Sequence, residues 1–275
     1  MAEIYQLNHR AMATQFEVRI ANENPTYAAQ AAQAAIDLLD KLESQLSRFR
    51  RGSDIVRAAH LVKGEKMRLS ESTFACLEMA KKMEAATCGG FCATAAAPQT
   101  EAMHPQWTLL PDELSLQCES GTLAFDLGAI GKGFALDRMA ELLRVWECFS
   151  VLLVAGGSSV LASDAPPETA GWSCSLGNDH STLRLLLKHA SLSGSGLAVK
   201  GSHILNPRNG RPAMRQNRAW ALADSAAESD ALSTACMVLN DHEIEKVLEQ
   251  EPSWLVFLDD DGTLRTMGKR PLLRN

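Results

Sequence analysis

Residues able to handle a phosphate, a hard cation and a proton fall in three stretches of this 275-residue chain. The first runs Asp126-Leu127-Gly128-Ala129-Ile130-Gly131-Lys132-Gly133 and continues through Phe134 to Asp137. It sets an acid at a strand end, glycines and a Lys in the turn, and a helix directly after. Glycines let the backbone approach a ligand closely, and the free N–H groups of a helix start favour an anion, so this turn can hold a phosphate. The alternative is a strand-to-helix turn whose glycines serve geometry alone. Spacing excludes two common nucleotide loops. A Walker A loop sets four residues between its first glycine and the Gly-Lys pair, then Ser or Thr; here two intervene and Gly133 follows Lys132. The dinucleotide pattern G-x-G-x-x-G is not met either.

The second stretch, Ala221 to Ala235, leaves a strand through small and acidic residues and enters a helix. If Ser229 starts that helix, Asp230 and Thr234 lie one turn apart on one face. A carboxylate and a hydroxyl so arranged offer oxygens to Mg²⁺, which prefers oxygen ligands and keeps its other places for water and substrate phosphate. The alternative is a solvated first turn in which Asp230 complements the helix dipole. The third stretch holds Gly194-Ser195-Gly196 and then His203-Ile204-Leu205-Asn206-Pro207-Arg208-Asn209-Gly210. Asn206-Pro207 and Asn209-Gly210 signal a tight turn. His203 either moves protons near neutral pH or is a structural histidine.

These stretches need elements to position them. Alternation over Gln15–Ile20 predicts a strand. A long helix starts near Pro25, with Ala29, Ala32, Ile36, Leu39, Leu42, Leu46 and Phe49 on its apolar face. A second helix fits 71–86, with Ser70 or Ser72 as its cap. Residues 95–108 carry no period and read as a mobile loop. Leu114–Cys118 and Thr122–Phe125 read as a hairpin, and a helix runs from the glycine turn to about Trp146. Strands fit 151–155, 172–176, 183–187 and 219–223, helices fit 229–239 and 242–249, and a hairpin over 254–264 turns at Asp260-Asp261-Gly262. Strands in antiparallel-looking groups with helices between them favour α+β over a doubly wound sheet.

Composition limits the function classes. Hydrophobic residues at 46% and charged ones at 22% are globular proportions. Lys plus Arg number 27 against 33 Asp plus Glu, a net charge of −6, and no basic run tracks a phosphate backbone, so nucleic acid is not an expected partner. No stretch approaches the roughly 18 apolar residues of a membrane span. The first residues lack the basic and apolar regions of a secretory signal, so the expected location is cytoplasmic. Seven scattered Cys fit a reducing compartment rather than a disulfide framework. Cys88 and Cys92 lack the second pair that a zinc site needs.

Taken in order, the stretches resemble the FAD:protein FMN transferase (ApbE) family. The resemblance runs from Met12-Ala13-Thr14-Gln15-Phe16 through Leu46-Ser47-Arg48-Phe49 and Ser53-Asp54-Ile55 to the Asp126–Asp137 segment, Gly156-Gly157, His203–Pro207 and the Asp230/Thr234 pair. It implies a single domain over 1–275, built as two interlocked αβ subdomains with the ligand cleft between them. It also implies Mg²⁺-dependent cleavage of FAD as substrate, attachment of FMN to a Thr or Ser hydroxyl of an acceptor flavoprotein, and release of AMP. Asp230 and Thr234 match the metal ligands, with the backbone carbonyl of Ala129 as a third. Met12, Phe49, Gly90, Phe91, Cys92, Asp126, Lys132 and Ile204 match positions around the FAD. His203 matches the catalytic histidine, with Asp230 as an alternative base.

The sequence departs from the family pattern at four positions. Ala13 stands for a glycine, and Cys92, Ser158 and Asn206 stand where aspartates are usual. Two further readings stand beside the transferase. One is a catalytically weak or inactive flavin- or nucleotide-binding protein, and the other is an FAD pyrophosphatase that passes FMN to water.

Overall fold

The computed structural model describes residues 3–22, 24–95, 105–177, 182–196, 204–213, 217–260 and 262–274. Strands β1 (Glu3–Ala11) and β2 (Thr14–Asn22) form a hairpin closed by Met12 and Ala13, both left-handed at φ 48° and 58°. A two-residue loop of this hand matches strand twist and usually falls to Asn or Gly. The Asn24 side chain accepts the Tyr27 N–H to cap α1 (Pro25–Leu46), and Pro25 occupies the first turn, where an N–H has no helical partner. Ala28, Ala31, Ala32, Ala35, Ile36, Leu39, Leu42 and Leu46 form its buried face, and the alanines let it lie close on the hairpin. Phe49, expected on that face, falls beyond it. The Ser47 hydroxyl accepts the N–H groups of Phe49 and Arg50, turns the chain out of the helix, and leaves Phe49 79% exposed.

Next come α2 (Asp54–Ala58), β3 (Lys66–Arg68) and α3 (Glu71–Ala86), the last capped by Ser70 as the sequence allows. Strands β4 (Gln106–Leu110) and β5 (Ser115–Ser120) complete a small sheet in the order β3-β5-β4. The loop expected over 95–108 therefore gives way to strand by Gln106, and 96–104 lie outside the described residues. The hairpin expected between 114–118 and 122–125 does not form, because β3 and β4 already pair with β5. Residues 122–125 turn instead, with the N–H groups of Ala124 and Phe125 donating to the carbonyls of Thr122 and Leu123. Phe125 then meets Trp107 edge-on at 5.1 Å.

The remaining elements are α4 (Gly131–Val145), β6 (Val151–Ala155), β7 (Ser159–Ala162), β8 (Trp172–Gly177), β9 (Thr182–Leu187), β10 (Ala190–Gly196), β11 (Arg218–Ala223), α5 (Ala226–Cys236), α6 (Asp241–Gln250), β12 (Leu255–Asp260), β13 (Thr263–Gly268) and β14 (Leu273–Arg274). The main sheet runs β1-β2-β6-β7-β10-β11-β12-β13, and the ladders among the described strands are antiparallel. Helices α1, α4 and α5 pack on one face. On the other, Trp172, Leu176, Leu185 and Leu187 of a small β14-β9-β8 sheet join Leu152, Leu192, Leu222, Leu255 and Phe257 in a second apolar cluster. Covering both faces explains why β6, β11 and β12 read as unbroken apolar runs: Val256 and Leu258 enter the helix-side core while Leu255 and Phe257 enter the other. The chain is α+β, as its sequence predicts.

Candidate functional site

The site is built where α4 and α5 begin. Ser225 caps α5 by accepting the Glu228 N–H, so the helix starts before Ser229 and Asp230 sits inside it rather than in a solvated first turn. The Asp137 carboxylate of α4 accepts the Ser225 hydroxyl at 2.7 Å and the N–H groups of Ala226 and Ala227 at 2.7 and 2.9 Å, which satisfies helix donors that lack a partner of their own. Burial raises the Asp137 pKa above the usual carboxylate value, against the pull of those bonds. Gly133 permits the close crossing: a Cβ there would lie 2.0 Å from the carbonyl oxygen of Ala226.

This crossing sets Asp230 against the glycine turn. Its side chain is 4% exposed. Oδ1 accepts from Lys132 Nζ at 3.2 Å and from the Ser159 hydroxyl of β7 at 3.0 Å. Oδ2 accepts from Lys132 Nζ at 3.1 Å and from the Gly133 N–H at 3.1 Å. Lys132 Nζ also reaches the Gly128 carbonyl at 3.3 Å. Thr234, one turn along α5, donates to the Asp230 carbonyl at 3.3 Å and shares a hydrogen bond with Ser195 of β10 at 3.0 Å. Ala129 lies partly buried in the same turn. Three residues from the sequence reading, Lys132, Asp230 and Thr234, thus converge in one place.

Behind them runs a seam of hydroxyls. Ser191 and Ser193 of β10 meet Ser229 at 2.9 and 2.8 Å, Ser195 meets Ser233 at 2.9 Å, and Ser233 donates to the Asp230 carbonyl at 2.9 Å. Sequence reasoning assigned no role to Ser159, Ser195, Ser233 or Asp137. The signal was present: serines at alternate positions 191, 193 and 195 face one way on a strand, and Ser229 and Ser233 share a helix face at four-residue spacing.

A second group forms an outer rim. Asp126 accepts the Gly128 N–H at 2.9 Å and pairs with Arg48 at 2.7 Å, while its own N–H donates to the Ala93 carbonyl at 2.7 Å. The Arg48 guanidinium also lies 4.8 Å from the Phe49 ring centroid. A cavity of about 290 Å³ opens beside Arg48, lined by Ile55, Val56, Ala59, His60, Ala124 and Phe125. The Met12 N–H donates to Glu43 Oε1 at 2.9 Å, and Glu43 also pairs with Arg50, so the first hairpin tip is tied to the loop that carries Phe49.

Other predicted positions serve packing. Gly90 lies so close to Leu239 that a Cβ would sit 2.7 Å from its side chain, and Phe91 is fully buried. Cys92 is buried with its Sγ 3.3 Å from the Thr94 hydroxyl, and burial pushes its thiol up to about 11, so it brings no charge where an aspartate would. Ile204 is buried, and its carbonyl accepts the Ala213 N–H in a short hairpin. Arg208 clips that hairpin to Glu243 at 2.6 Å and to the Cys88 carbonyl at 3.0 Å. His203 lies outside the described residues.

Known proteins resemble the chain in sequence and in fold. The chain is 25% identical over 162 residues to the FAD:protein FMN transferase of Escherichia coli K12, covering 54% of this chain and 46% of that protein. It is 22% identical over 301 residues to the protein of the same name from Vibrio cholerae, covering 95% and 90%. The chain therefore spans about half the length of the Escherichia coli relative and most of the Vibrio one. In structure it matches the flavin transferase ApbE from Vibrio cholerae with a TM-score of 0.82 at 19% identity over 97% of each chain, and the ApbE protein from Thermotoga maritima with 0.82 at 20% over 96% of each. Among the described residues no helix is long and apolar enough to cross a membrane. The sequence model of the ApbE family matches residues 12–258, more than half of the chain, and the chain belongs to that family.

Proposed function

We propose that this chain is a Mg²⁺-dependent transferase that moves FMN from FAD to a Thr or Ser hydroxyl of an acceptor flavoprotein and releases AMP. In this reading residues 1–275 act as one flavin transferase domain, with FAD in a cleft between two interlocked αβ subdomains. The observation that carries it is the buried Asp230 carboxylate set against the Gly-Lys-Gly turn at the start of α4.

The donor set suits Mg²⁺. Asp230 and Thr234 supply a carboxylate and a hydroxyl from adjacent turns of α5, and the turn before α4 supplies the Ala129 carbonyl, all oxygens. Among the described residues no three His, Cys, Asp or Glu gather to hold a metal, so substrate and water oxygens would complete the shell. When bound, Mg²⁺ neutralises charge on the diphosphate oxygens. Lys132 and the positive dipole end of α4 orient that diphosphate. Met12 and Phe49 offer apolar surface to a ring, the Arg48–Asp126 pair closes the side of the cleft, and Gly90, Phe91, Cys92 and Ile204 back it.

The acceptor hydroxyl oxygen attacks the FMN phosphorus, the bond to the bridging diphosphate oxygen breaks, and AMP leaves with that oxygen. The hydroxyl proton passes to His203. Asp230 is ill placed as the base, because its oxygens already accept four contacts from three donors. A cytoplasmic setting is supported by the odd, scattered set of seven Cys.

The test incubates the protein with FAD and Mg²⁺, with and without a domain carrying an acceptor Thr, and follows AMP and the mass of the acceptor. Covalent FMN with matching AMP is expected, and Asp230→Asn should lower the rate at least 100-fold. AMP with free FMN would make the protein a pyrophosphatase. FAD binding with neither product would make it a binding module.

A further inference from the structure

The donors around Asp230 differ in one respect: how far they can move. Its carboxylate offers about four lone-pair directions, and four contacts use them: two from Lys132 Nζ, one from the Ser159 hydroxyl and one from the Gly133 N–H. Ser159 is fully buried on β7 and Gly133 is locked against the backbone of Ala226, so neither can withdraw without moving an element of the fold. Lys132 is different. Its ammonium sits on a flexible four-carbon stem whose side chain is 21% exposed, against 4% for Asp230.

The oxygens that Lys132 engages are also of the kind a hard cation takes. Its Nζ lies within 3.3 Å of a backbone carbonyl of the 128–130 turn and of both Asp230 oxygens. A cation in the first turn of a helix stands against the helix dipole. α4 has no side-chain cap at its start. The Lys132 charge is therefore held in place by Asp230 and not by its own helix.

We infer that the Lys132 ammonium is a tethered counter-ion occupying the divalent-metal position at Asp230, so that metal binding requires it to swing outward. The displaced ammonium then points toward the cleft, where a diphosphate is the anion available to it. Lys132 thus sets metal affinity by competition and couples metal entry to capture of the phosphate. This rests on the reading of Asp230 and Thr234 as Mg²⁺ ligands.

The experiment measures Mg²⁺ binding alone, without FAD, by calorimetry on the full chain. Lys132→Gln removes the competing charge and should bind Mg²⁺ at least tenfold tighter than the parent, about 1.4 kcal/mol. It should also melt lower in EDTA and gain more from added Mg²⁺. Lys132→Arg keeps the charge on a planar fork that grips a carboxylate at two points, so it should bind Mg²⁺ at least threefold more weakly. Ser159→Ala removes a neutral donor from the same carboxylate and should stay within about threefold of the parent, separating charge competition from general loosening.

Equal or weaker binding by Lys132→Gln, or equal or tighter binding by Lys132→Arg, overturns the inference. If Lys132→Gln does not fold, the Arg variant decides alone. Asp230→Asn separates the two levels of the argument. If it abolishes binding, the metal reading stands whatever Lys132 does. If it binds like the parent, or if the parent binds no Mg²⁺, the metal reading falls and the inference falls with it.

Discussion

The floor of the site and its rim are made differently. The floor, around Asp230, draws one contact each from a helix start and a strand and two from a lysine, behind two helices that touch backbone to backbone at Gly133 and are pinned by Asp137. The rim is made of side chains on connections: Met12 on a hairpin tip, Phe49 in the loop after α1, and Asp126 in a turn. On the proposed reading, charge is handled where packed backbone fixes the geometry, and ring recognition falls to side chains on connections. The departures from the family pattern do not all follow that division. Ala13 closes the first hairpin, whereas the Ser158 hydroxyl lies 3.4 Å from that of Ser159, which donates to Asp230.

Three substitutions test this contrast. Gly133→Ala drives a methyl into the Ala226 carbonyl and should cost on the order of 3 kcal/mol in denaturant unfolding; a loss under about 1 kcal/mol would mean that the floor yields as readily as the rim. Phe49→Ala should leave stability within about 0.5 kcal/mol, since the ring is exposed. It should raise KM for FAD about tenfold at constant kcat, and a fall in kcat instead would move Phe49 from recognition into the chemistry. Ala13→Gly is the smallest. Relieving a left-handed alanine should stabilise the hairpin by about 0.5–1 kcal/mol, and no gain would mean that the Glu43 tether from Met12 already absorbs the strain.

Helices were legible where a cap and a period coincided, as at Ser70 with 71–86, and where a glycine turn led into a period, as before Gly131. What escaped the sequence was long-range pairing. β1 has its partner in β2, and its inward positions Tyr5, Leu7, His9 and Ala11 alternate, but a histidine in that row and an outward Ile4 blunt the apolar signal. β10 reads as Ser and Gly rather than as a strand, because its side chains bond to α5 instead of packing as aliphatics. The apolar stretch near 122–125 looked like a strand and is a turn, since its partner positions on β5 are taken. At the site, spacing announced Asp230 and Thr234, but no pattern shows that a lysine 98 positions away would close on the carboxylate. Phe49 failed for a local reason: a serine hydroxyl ended the helix before the period did.

The seam between β10 and α5 has one more property. A hydroxyl can be donor or acceptor, and the contacts Ser191–Ser229, Ser193–Ser229, Ser195–Ser233 and Ser195–Thr234 can each run in either direction. The protons along it can reorient while every heavy atom stays where it is. If Mg²⁺ replaces the Lys132 ammonium as proposed, the seam can answer the change of charge by turning its dipoles, as a polarisable lining rather than a hinge.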